Sequence, residues 1–122
     1  LASVYQASRI QKICDKLKIK CVNPLWGKNQ IELLNDLIKD KFEIIISGVA
    51  AYPLDKSWVG RKINKKFIEE VVVLQEKYRI NPAGEGGEFE SLVLNCPLFK
   101  KKLNVKLKNV VGGGNSWRGE FE

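Results

Sequence analysis

The chain has 122 residues, of which 44% are hydrophobic, enough for one compact domain with a core but short for two. It contains no histidine, which excludes Ser-His-Asp and Cys-His catalytic systems and histidine metal sites built from this chain alone. Its formal net charge of +7 fits solvated lysine-rich faces, compensation for an acidic portion outside this chain, or a polyanionic partner such as RNA or ATP phosphates.

The first predicted elements are two helices with a short strand between them. Apolar residues recur at helical spacing over residues 4–17, and the run 19–22 predicts a strand. After a break at Asn23 and Pro24, Asn29 is typical of a helix N-cap, with a glutamate three residues later as in a capping box. The residues of this second helix expected to face the core are Ile31, Leu34, Leu37 and Ile38.

A strand and a third helix follow. Three consecutive isoleucines at 44–46 predict a strand covered on both faces, which is typical of a parallel sheet. A helix is predicted from about Asn64 to Tyr78, with Ile68, Val71, Val72 and Leu74 inward. This alternation predicts an α/β fold, a layered sheet with parallel strands and right-handed crossover helices.

The last third of the chain is predicted to form strands. Residues 92–94 predict a central strand, and the alternation over 103–107 predicts a half-exposed one. A glycine-rich turn at 112–115 then leads into 117–121 as an antiparallel return. The predicted fold therefore ends in an antiparallel strand pair.

Residues 81–90, NPAGEGGEFE, lie between the third helix and the next strand and form a glycine-glutamate loop. A phosphate cradle is disfavoured here, because Glu85, Glu88 and Glu90 would repel phosphate and a strand follows the loop where such cradles lead into a helix. Two interpretations stay open. Either the glycines make a tight turn with solvated glutamates, or they let a ligand approach while the carboxylates bind a cation such as Mg²⁺ or an ammonium group.

The three cysteines and the hydrophobic pattern bear on location. Cys14, Cys21 and Cys96 are odd in number and lack metal-ligand spacing, so reduced, half-buried thiols are expected. No apolar run approaches the roughly 18 residues that would span a bilayer. We therefore expect a soluble cytoplasmic protein. The absence of methionine, even at position 1, suggests an excerpt of a longer polypeptide.

The glycine-glutamate loop also carries a family resemblance. Residues 84–91, GEGGEFES, continued by LVLNCPLFK at 92–100, resemble the GEGGE(F/Y)ET-LVLDAPLFK motif of the diphthine ammonia ligases, relatives of the PP-loop ATP pyrophosphatases. Three shorter stretches agree in order and spacing: residues 3–9 with the family's SDYQRxR, 24–27 with its PLW turn, and 54–61 with its LDxxWLGR. The resemblance covers nearly the whole chain and fades after about Val105.

The chain departs from the family pattern in several places. Val4 stands where the family commonly has Asp and Ala7 where it often has Arg, while Ser91 replaces Thr and Asn95 replaces Asp. The family's SGGKDS-type pyrophosphate-binding loop has no counterpart in the sequence. The resemblance implies that residues 1–122 are a single domain, or the C-terminal substrate-binding portion, of a larger PP-loop (HUP-like) ATPase-type protein, without its N-terminal ATP pyrophosphatase portion.

The resemblance implies an ATP-dependent amidation with ammonia of diphthine, a modified histidine on elongation factor 2. Transfer of AMP activates the diphthine carboxylate with loss of pyrophosphate, and ammonia then displaces AMP to leave diphthamide. Diphthine carries a trimethylammonium group. Glu85 and Glu88 are therefore the expected catalytic residues, binding acceptor, ammonia or Mg²⁺, with one of them taking a proton from ammonium.

Further site residues follow from the resemblance. Tyr5 and Gln6 would lie near the adenylate, although Tyr5 is equally explained as a partly buried helical aromatic. Trp26 and Trp58 would each anchor the core or an interface, which is the commoner role of tryptophan, or else contact the ligand. The implied substrate- or nucleotide-binding residues are Tyr5, Gln6, Trp26, Gly84, Gly86 and Gly87.

The implied cofactors and partners complete this hypothesis. ATP is a substrate, Mg²⁺ is the implied metal, and elongation factor 2 and ammonium are the implied partners. No membrane is involved, and a homo-oligomer stays open. The lack of an RNP-like aromatic pair or a GXXG clamp argues against a nucleic-acid partner. Two other functions stay open: a PP-loop amidating enzyme with another carboxylate acceptor, and a non-catalytic truncated binding module.

Overall fold

The computed structural model describes residues 4–122, which form three α-helices and one four-stranded sheet. Position 3 of the SDYQRxR-like stretch lies outside the described residues. The elements in chain order are α1 (Val4–Leu17), α2 (Gln30–Lys39), β1 (Glu43–Val49), a short 3-10 helix (Lys56–Trp58), α3 (Lys65–Tyr78), β2 (Phe89–Asn95), β3 (Leu107–Gly113) and β4 (Ser116–Phe121).

The sheet has the strand order β2-β1-β4-β3, and every pairing in it is antiparallel. The predicted parallel strands with crossover helices are therefore wrong. The isoleucine run does form a strand buried on both faces, but burial does not reveal strand direction. Ile44 and Ile46 join the core beside the helices, whereas Ile45 faces the other way and lines a cleft with Leu94 and Leu107.

The second and third helices begin where the sequence predicts. Asn29 Oδ1 accepts hydrogen bonds from the backbone N–H of Ile31 and Glu32, at 3.0 and 3.1 Å. Asn64 Oδ1 accepts one from Phe67 N–H at 2.9 Å. Each side chain satisfies helix-end donors that would otherwise lack a partner, and both helix starts are confirmed.

The core lies between these two helices and the sheet. α3 buries Ile68 and Val71 as predicted, and also Phe67, which the sequence pattern missed. Phe67 is 0% exposed, and its ring meets Trp58 and Phe89 edge to face at centroid distances of 5.6 and 5.9 Å. The buried residues of the core cluster are Leu34, Ile44, Ile46, Val49, Leu54, Val59, Ile63, Phe67, Ile68, Val71 and Phe89.

α1 lies outside this core. The helix forms where the apolar spacing predicts, but none of its residues is buried, and Ile10, Ile13 and Leu17 are exposed. Among helices α1 to α3, none has the length and apolar character needed to cross a membrane.

Three strand predictions need correction. Residues 19–22 form no strand, and Ile19 and Val22 are more than half exposed, so no burial of apolar surface draws this segment into the sheet. The strand around residues 92–94 is β2, which lies at the edge of the sheet and not at its centre. The strand predicted from Leu103 begins only at Leu107, which pairs with Phe121 of β4.

The final hairpin is confirmed. β3 and β4 pair antiparallel around the turn at Gly114 and Asn115, and the Trp117 indole N–H donates to the Gly114 carbonyl at 3.0 Å. Glycine-rich turns of this kind are a local signal, which explains why the sequence predicts them.

The three cysteines are free and partly buried, as predicted. Desolvation, followed by contact with Cys21, raises the pKa of the Cys14 thiol. A raised pKa keeps the thiol protonated near neutral pH, which suits a packing role.

Candidate functional site

The glycine-glutamate loop is built around Asn81. The Asn81 carbonyl accepts from Gly84 N–H at 3.0 Å, and its side-chain Oδ1 accepts from the N–H groups of Ala83 and Glu85 at 2.9 and 3.4 Å. A second turn follows, in which Gly87 N–H donates to the Gly84 carbonyl at 3.0 Å. The loop is thus two consecutive turns joining the end of α3 to the start of β2.

Gly84 is required by the packing of Phe89. Its φ of +72° lies in the left-handed region, and a Cβ at this position would lie 3.0 to 3.1 Å from the Phe89 ring. Phe89 belongs to the core and pairs with Val49 across the β1–β2 ladder. The loop therefore rests directly on the core, which fixes its base.

Glu88 turns inward. Its Oε2 accepts from Asn81 N–H at 2.5 Å, and its backbone carbonyl accepts from Ala50 N–H at 2.8 Å. Its Oε1 is enclosed and forms no hydrogen bond within the described part of the chain. A carboxylate oxygen enclosed without a donor is the atom of this loop best prepared to accept a hydrogen bond from a bound cation.

Glu85 and the loop glycines have different surroundings. Glu85 lies exposed at the tip of the loop, next to the exposed Gly86 and Gly87. A Cβ at Gly86 would lie 2.6 Å from Glu88 Oε1, so the absence of a side chain there leaves room for the Glu88 carboxylate. The sequence prediction that these residues share one loop site stays a prediction, and the geometry brings Gly86 and Glu88 into contact.

Tyr5, Gln6 and Trp26 lie elsewhere. Tyr5 and Gln6 are exposed on α1, and the Tyr5 hydroxyl accepts a hydrogen bond from Arg9 Nη1 at 2.6 Å. Trp26 borders an open groove with α1 side chains such as Ala7 and Gln11, and no loop glycine lines that groove. The reading of Tyr5 as a partly buried aromatic is wrong, because it is 69% exposed.

The stretch at 54–61 serves the fold. The Asp55 carboxylate caps the short 3-10 helix, and hydrogen bonds from the Ser57 hydroxyl and backbone N–H hold the pKa of Asp55 below its usual value. Arg61 stacks over Trp58, 4.2 Å from guanidinium carbon to ring centroid, and pairs with Glu70 of α3. Trp58 is thus a core anchor, as the sequence suggested.

A cavity that the sequence did not indicate lies beside the loop. It has a volume of about 210 Å³ and lies where β2, β1 and β4 run side by side. Its lining residues include Gly87, Glu90, Gly48, Ser116 and Arg118. Arg118 was missed because the sequence does not show that β4 joins β1. The available signal was Gly48, a glycine inside a strand, which often marks a close approach of a ligand or backbone.

Residues 4–122 offer few groups for a metal ion, and the loop does not have the form of a phosphate cradle. Across residues 4–122, no group of three or more His, Cys, Asp and Glu side chains could hold a metal ion. Mg²⁺ is commonly held by one or two carboxylates together with substrate phosphates, and Glu88 Oε1 fits one such ligand. The loop leads into β2 and not into a helix, so its residues do not fit a phosphate cradle for ATP.

Comparison with known proteins decides the family. The family model described as the diphthamide synthase C-terminal domain matches residues 29–120, three quarters of the chain. The chain belongs to the diphthamide synthase C-terminal domain family. This confirms the resemblance seen in the GEGGEFES motif, which lies within the matched residues. The match begins at Asn29, the N-cap of α2, so α1 lies outside it.

Several curated relatives carry the name diphthine–ammonia ligase. The Schizosaccharomyces pombe protein is 38% identical over 111 residues, which are 91% of this chain and 18% of that protein. The human protein is 36% identical over 111 residues, 91% of this chain and 42% of the relative. The Saccharomyces cerevisiae protein is 30% identical over 116 residues, 82% of this chain and 17% of the relative. The chain thus spans less than half the length of these relatives.

Proposed function

We propose that this chain is the acceptor-side portion of a diphthine ammonia ligase, which amidates the diphthine carboxylate on elongation factor 2 in the cytoplasm. The observation that carries the proposal is the glycine-glutamate loop, seated on the core through Phe89 and holding Glu88 Oε1 enclosed without a hydrogen bond from the described residues. Family membership and the names of the relatives support it.

The proposed reaction has two steps, activation of the carboxylate and attack by ammonia. An oxygen of the acceptor carboxylate bonds to the α-phosphorus of ATP as the bond to pyrophosphate breaks. The nitrogen of ammonia then bonds to the acyl carbon, AMP leaves with the electron pair of the carbon–oxygen bond, and the nitrogen loses a proton. We assign the phosphate contacts of the first step to the part of a longer protein that this chain does not include.

The loop supplies the second step. In the proposal, Glu88 Oε1 accepts a hydrogen bond from ammonium and then takes one of its protons, which frees the nitrogen lone pair for attack beside the acceptor. The proton that the nitrogen loses after the attack passes to water. Glu85 and Glu90 add negative charge on either side of Glu88, and this field attracts both ammonium and the trimethylammonium group of the acceptor. A Cβ at Gly86 would lie 2.6 Å from Glu88 Oε1, in the space that these cations approach.

The test uses the intact polypeptide that carries this chain, with ATP, ammonium and diphthine-bearing elongation factor 2. Mass spectrometry of the modified peptide follows conversion of the acid to the amide, and AMP release is measured in parallel. Glu88→Gln keeps an oxygen for Asn81 N–H and removes the charge, so the rate should fall about 100-fold or more, a typical loss for general acid–base groups. The rate of Glu85→Gln should fall less, because Glu85 lies at the exposed tip of the loop.

Glu69→Gln is the matched control, because Glu69 is exposed on α3 and lies outside the loop. Its rate should equal that of the unchanged protein. Equal rates for Glu88→Gln and Glu69→Gln would contradict the role of the loop. Amidation of a different carboxylate, with none of diphthine, would contradict the acceptor.

A further inference from the structure

Three residues on neighbouring strands form a row beside the loop. Gly48 of β1 pairs with Glu90 of β2 on one side and with Arg118 of β4 on the other. Because directly paired residues point to the same face of a sheet, all three share one face. Val49, the next residue of β1, belongs to the core, so this row faces away from the core.

Gly48 makes the floor of the cavity. A Cβ at this position would lie 3.7 Å from both Glu90 Oε2 and Arg118 Cβ, so the missing side chain leaves a gap between the two charged residues. The cavity of about 210 Å³ is equal to roughly seven waters at liquid density. A small head group of that size fits between the two side chains.

The two charges that border this gap are not used by the fold. Glu90 and Arg118 are exposed, and neither side chain forms a hydrogen bond or an ion pair within the described range 4–122, although their backbones belong to the sheet ladders. Two strand spacings of about 4.8 Å separate their Cα atoms, and the Glu90 carboxylate leans over Gly48, since its Oε2 lies 3.7 Å from the position of a Cβ there. A negative and a positive side chain on either side of a bare glycine match a small ligand that carries both charges.

We propose that this cavity binds a small zwitterion, with a quaternary ammonium group toward Glu90 and a carboxylate toward Arg118. An arginine guanidinium matches a carboxylate with two parallel hydrogen bonds. Glu90 is the one acidic side chain among the residues that line the cavity. It suits a quaternary ammonium group, which needs negative charge but offers no N–H that would require several acceptors.

This inference rests on the proposed function, and it names where the acceptor would sit. The trimethylammonium group of diphthine would contact Glu90 and its carboxylate would contact Arg118, which would be a specificity-determining residue that orients the carboxylate. Gly87 lines the same cavity, so the loop with Glu88 would lie beside the bound carboxylate. The acceptor and the ammonium site would then be neighbours.

Three probes of nearly equal shape test the inference. Glycine betaine carries both charges, 3,3-dimethylbutanoate carries the carboxylate alone, and choline carries the quaternary ammonium alone. Each is titrated into the ¹⁵N-labelled chain while amide resonances of β1, β2 and β4 are followed. Betaine should bind best and shift resonances around Gly48.

The variants should separate the two charges. Arg118→Gln should weaken betaine and 3,3-dimethylbutanoate about tenfold and leave choline unchanged, because each lost charged hydrogen bond costs about one decade or more. Glu90→Gln should weaken betaine and choline and leave 3,3-dimethylbutanoate unchanged. Gly48→Ala, which places a methyl group on the floor, should weaken all three.

Lys108→Gln and Glu120→Gln are matched controls on the same hairpin, outside the lining residues. They should leave all three affinities unchanged. Absence of betaine binding, or equal betaine affinity in Arg118→Gln and Lys108→Gln, would overturn the inference. If diphthine is amidated but betaine does not bind, only the zwitterion site is contradicted. If betaine binds but diphthine is not amidated, only the proposed function is contradicted.

Discussion

Two helices of equal length differ in how far their side chains are buried. α1 and α3 each have 14 residues, and both show apolar side chains at helical spacing. α3 buries Phe67, Ile68 and Val71 against the sheet, whereas α1 buries none of its residues. The family match divides the chain at the same place, since it begins at Asn29 and includes α3 but not α1.

The difference shows what a hydrophobic pattern can establish. Periodicity predicts that a helix has an apolar face, but it does not identify the surface that covers that face. For α3 the covering surface is the sheet of the same domain. For α1, the side chains Tyr5, Ile10, Ile13 and Leu17 remain exposed among the described residues. The stability of the domain should therefore depend on α3 and very little on α1.

The largest effect is expected at Phe67. Phe67→Ala removes a fully buried ring that meets Trp58 and Phe89, so the free energy of unfolding should fall by about 3–5 kcal/mol. Ile13→Ala on α1, where the side chain is 58% exposed, should change it by less than about 0.5 kcal/mol. Urea unfolding followed by circular dichroism measures both. A loss of 2 kcal/mol or more, a typical core value, for Ile13→Ala would show that α1 packs on the domain.

The next largest loss of stability is expected in the glycine-glutamate loop, which follows α3. Gly84→Ala combines a left-handed backbone with a Cβ about 3 Å from the Phe89 ring, so it should cost about 2–3 kcal/mol. Gly87→Ala has φ +84° but open space around its Cβ, so it should cost only about 1–2 kcal/mol. Thermal unfolding of the two variants gives the comparison. Equal losses would mean that the loop does not rest on Phe89.

A smaller effect is expected at the start of α3. Asn64→Ala removes the side-chain acceptor of Phe67 N–H and should lower the free energy of unfolding by about 1 kcal/mol. Asn104→Ala, at an exposed position outside the helices and strands, should change it by less than about 0.5 kcal/mol. Chemical denaturation distinguishes them. A neutral Asn64→Ala would indicate that the core alone fixes where α3 begins.

The smallest effect is at the first residue of β1. The Lys102 ammonium, 2.6 Å from Glu43 Oε2, together with the charge of Lys62, holds the pKa of Glu43 below its usual value. A lowered pKa in the folded state adds a little stability above about pH 4.3, the ordinary Glu value, and this is lost as pH falls through the folded pKa. Lys102→Gln should raise the pKa of Glu43, measured by carboxyl NMR, and Lys101→Gln should not. Equal Glu43 pKa values in the two variants would contradict the pair.

Local features of the fold could be predicted from the sequence, and non-local ones could not. The helix starts at Asn29 and Asn64 and the turn at Gly114 depend on neighbouring residues, and all three are confirmed. The direction of the strands depends on which distant segments pair. The isoleucine run looks the same in a parallel and an antiparallel sheet once both faces are covered, so that prediction was wrong.

The candidate site also has a local part, which the sequence could predict, and a non-local part, which it could not. The loop glycines and glutamates are consecutive in the chain, so the sequence could place them together. Arg118 joins them only because β4 pairs with β1 at Gly48, and nothing near Arg118 in the sequence shows that register. Residues that meet through sheet pairing are therefore the ones that the sequence missed.

The proposal that this chain carries the acceptor site can be tested by one binding measurement. The intact polypeptide is titrated with elongation factor 2 that bears diphthine and with the same factor bearing the unmodified histidine. We expect clearly tighter binding of the diphthine form, and loss of that preference when Arg118 and Glu90 are both changed to Gln. Equal affinity for the two forms of the factor would contradict it.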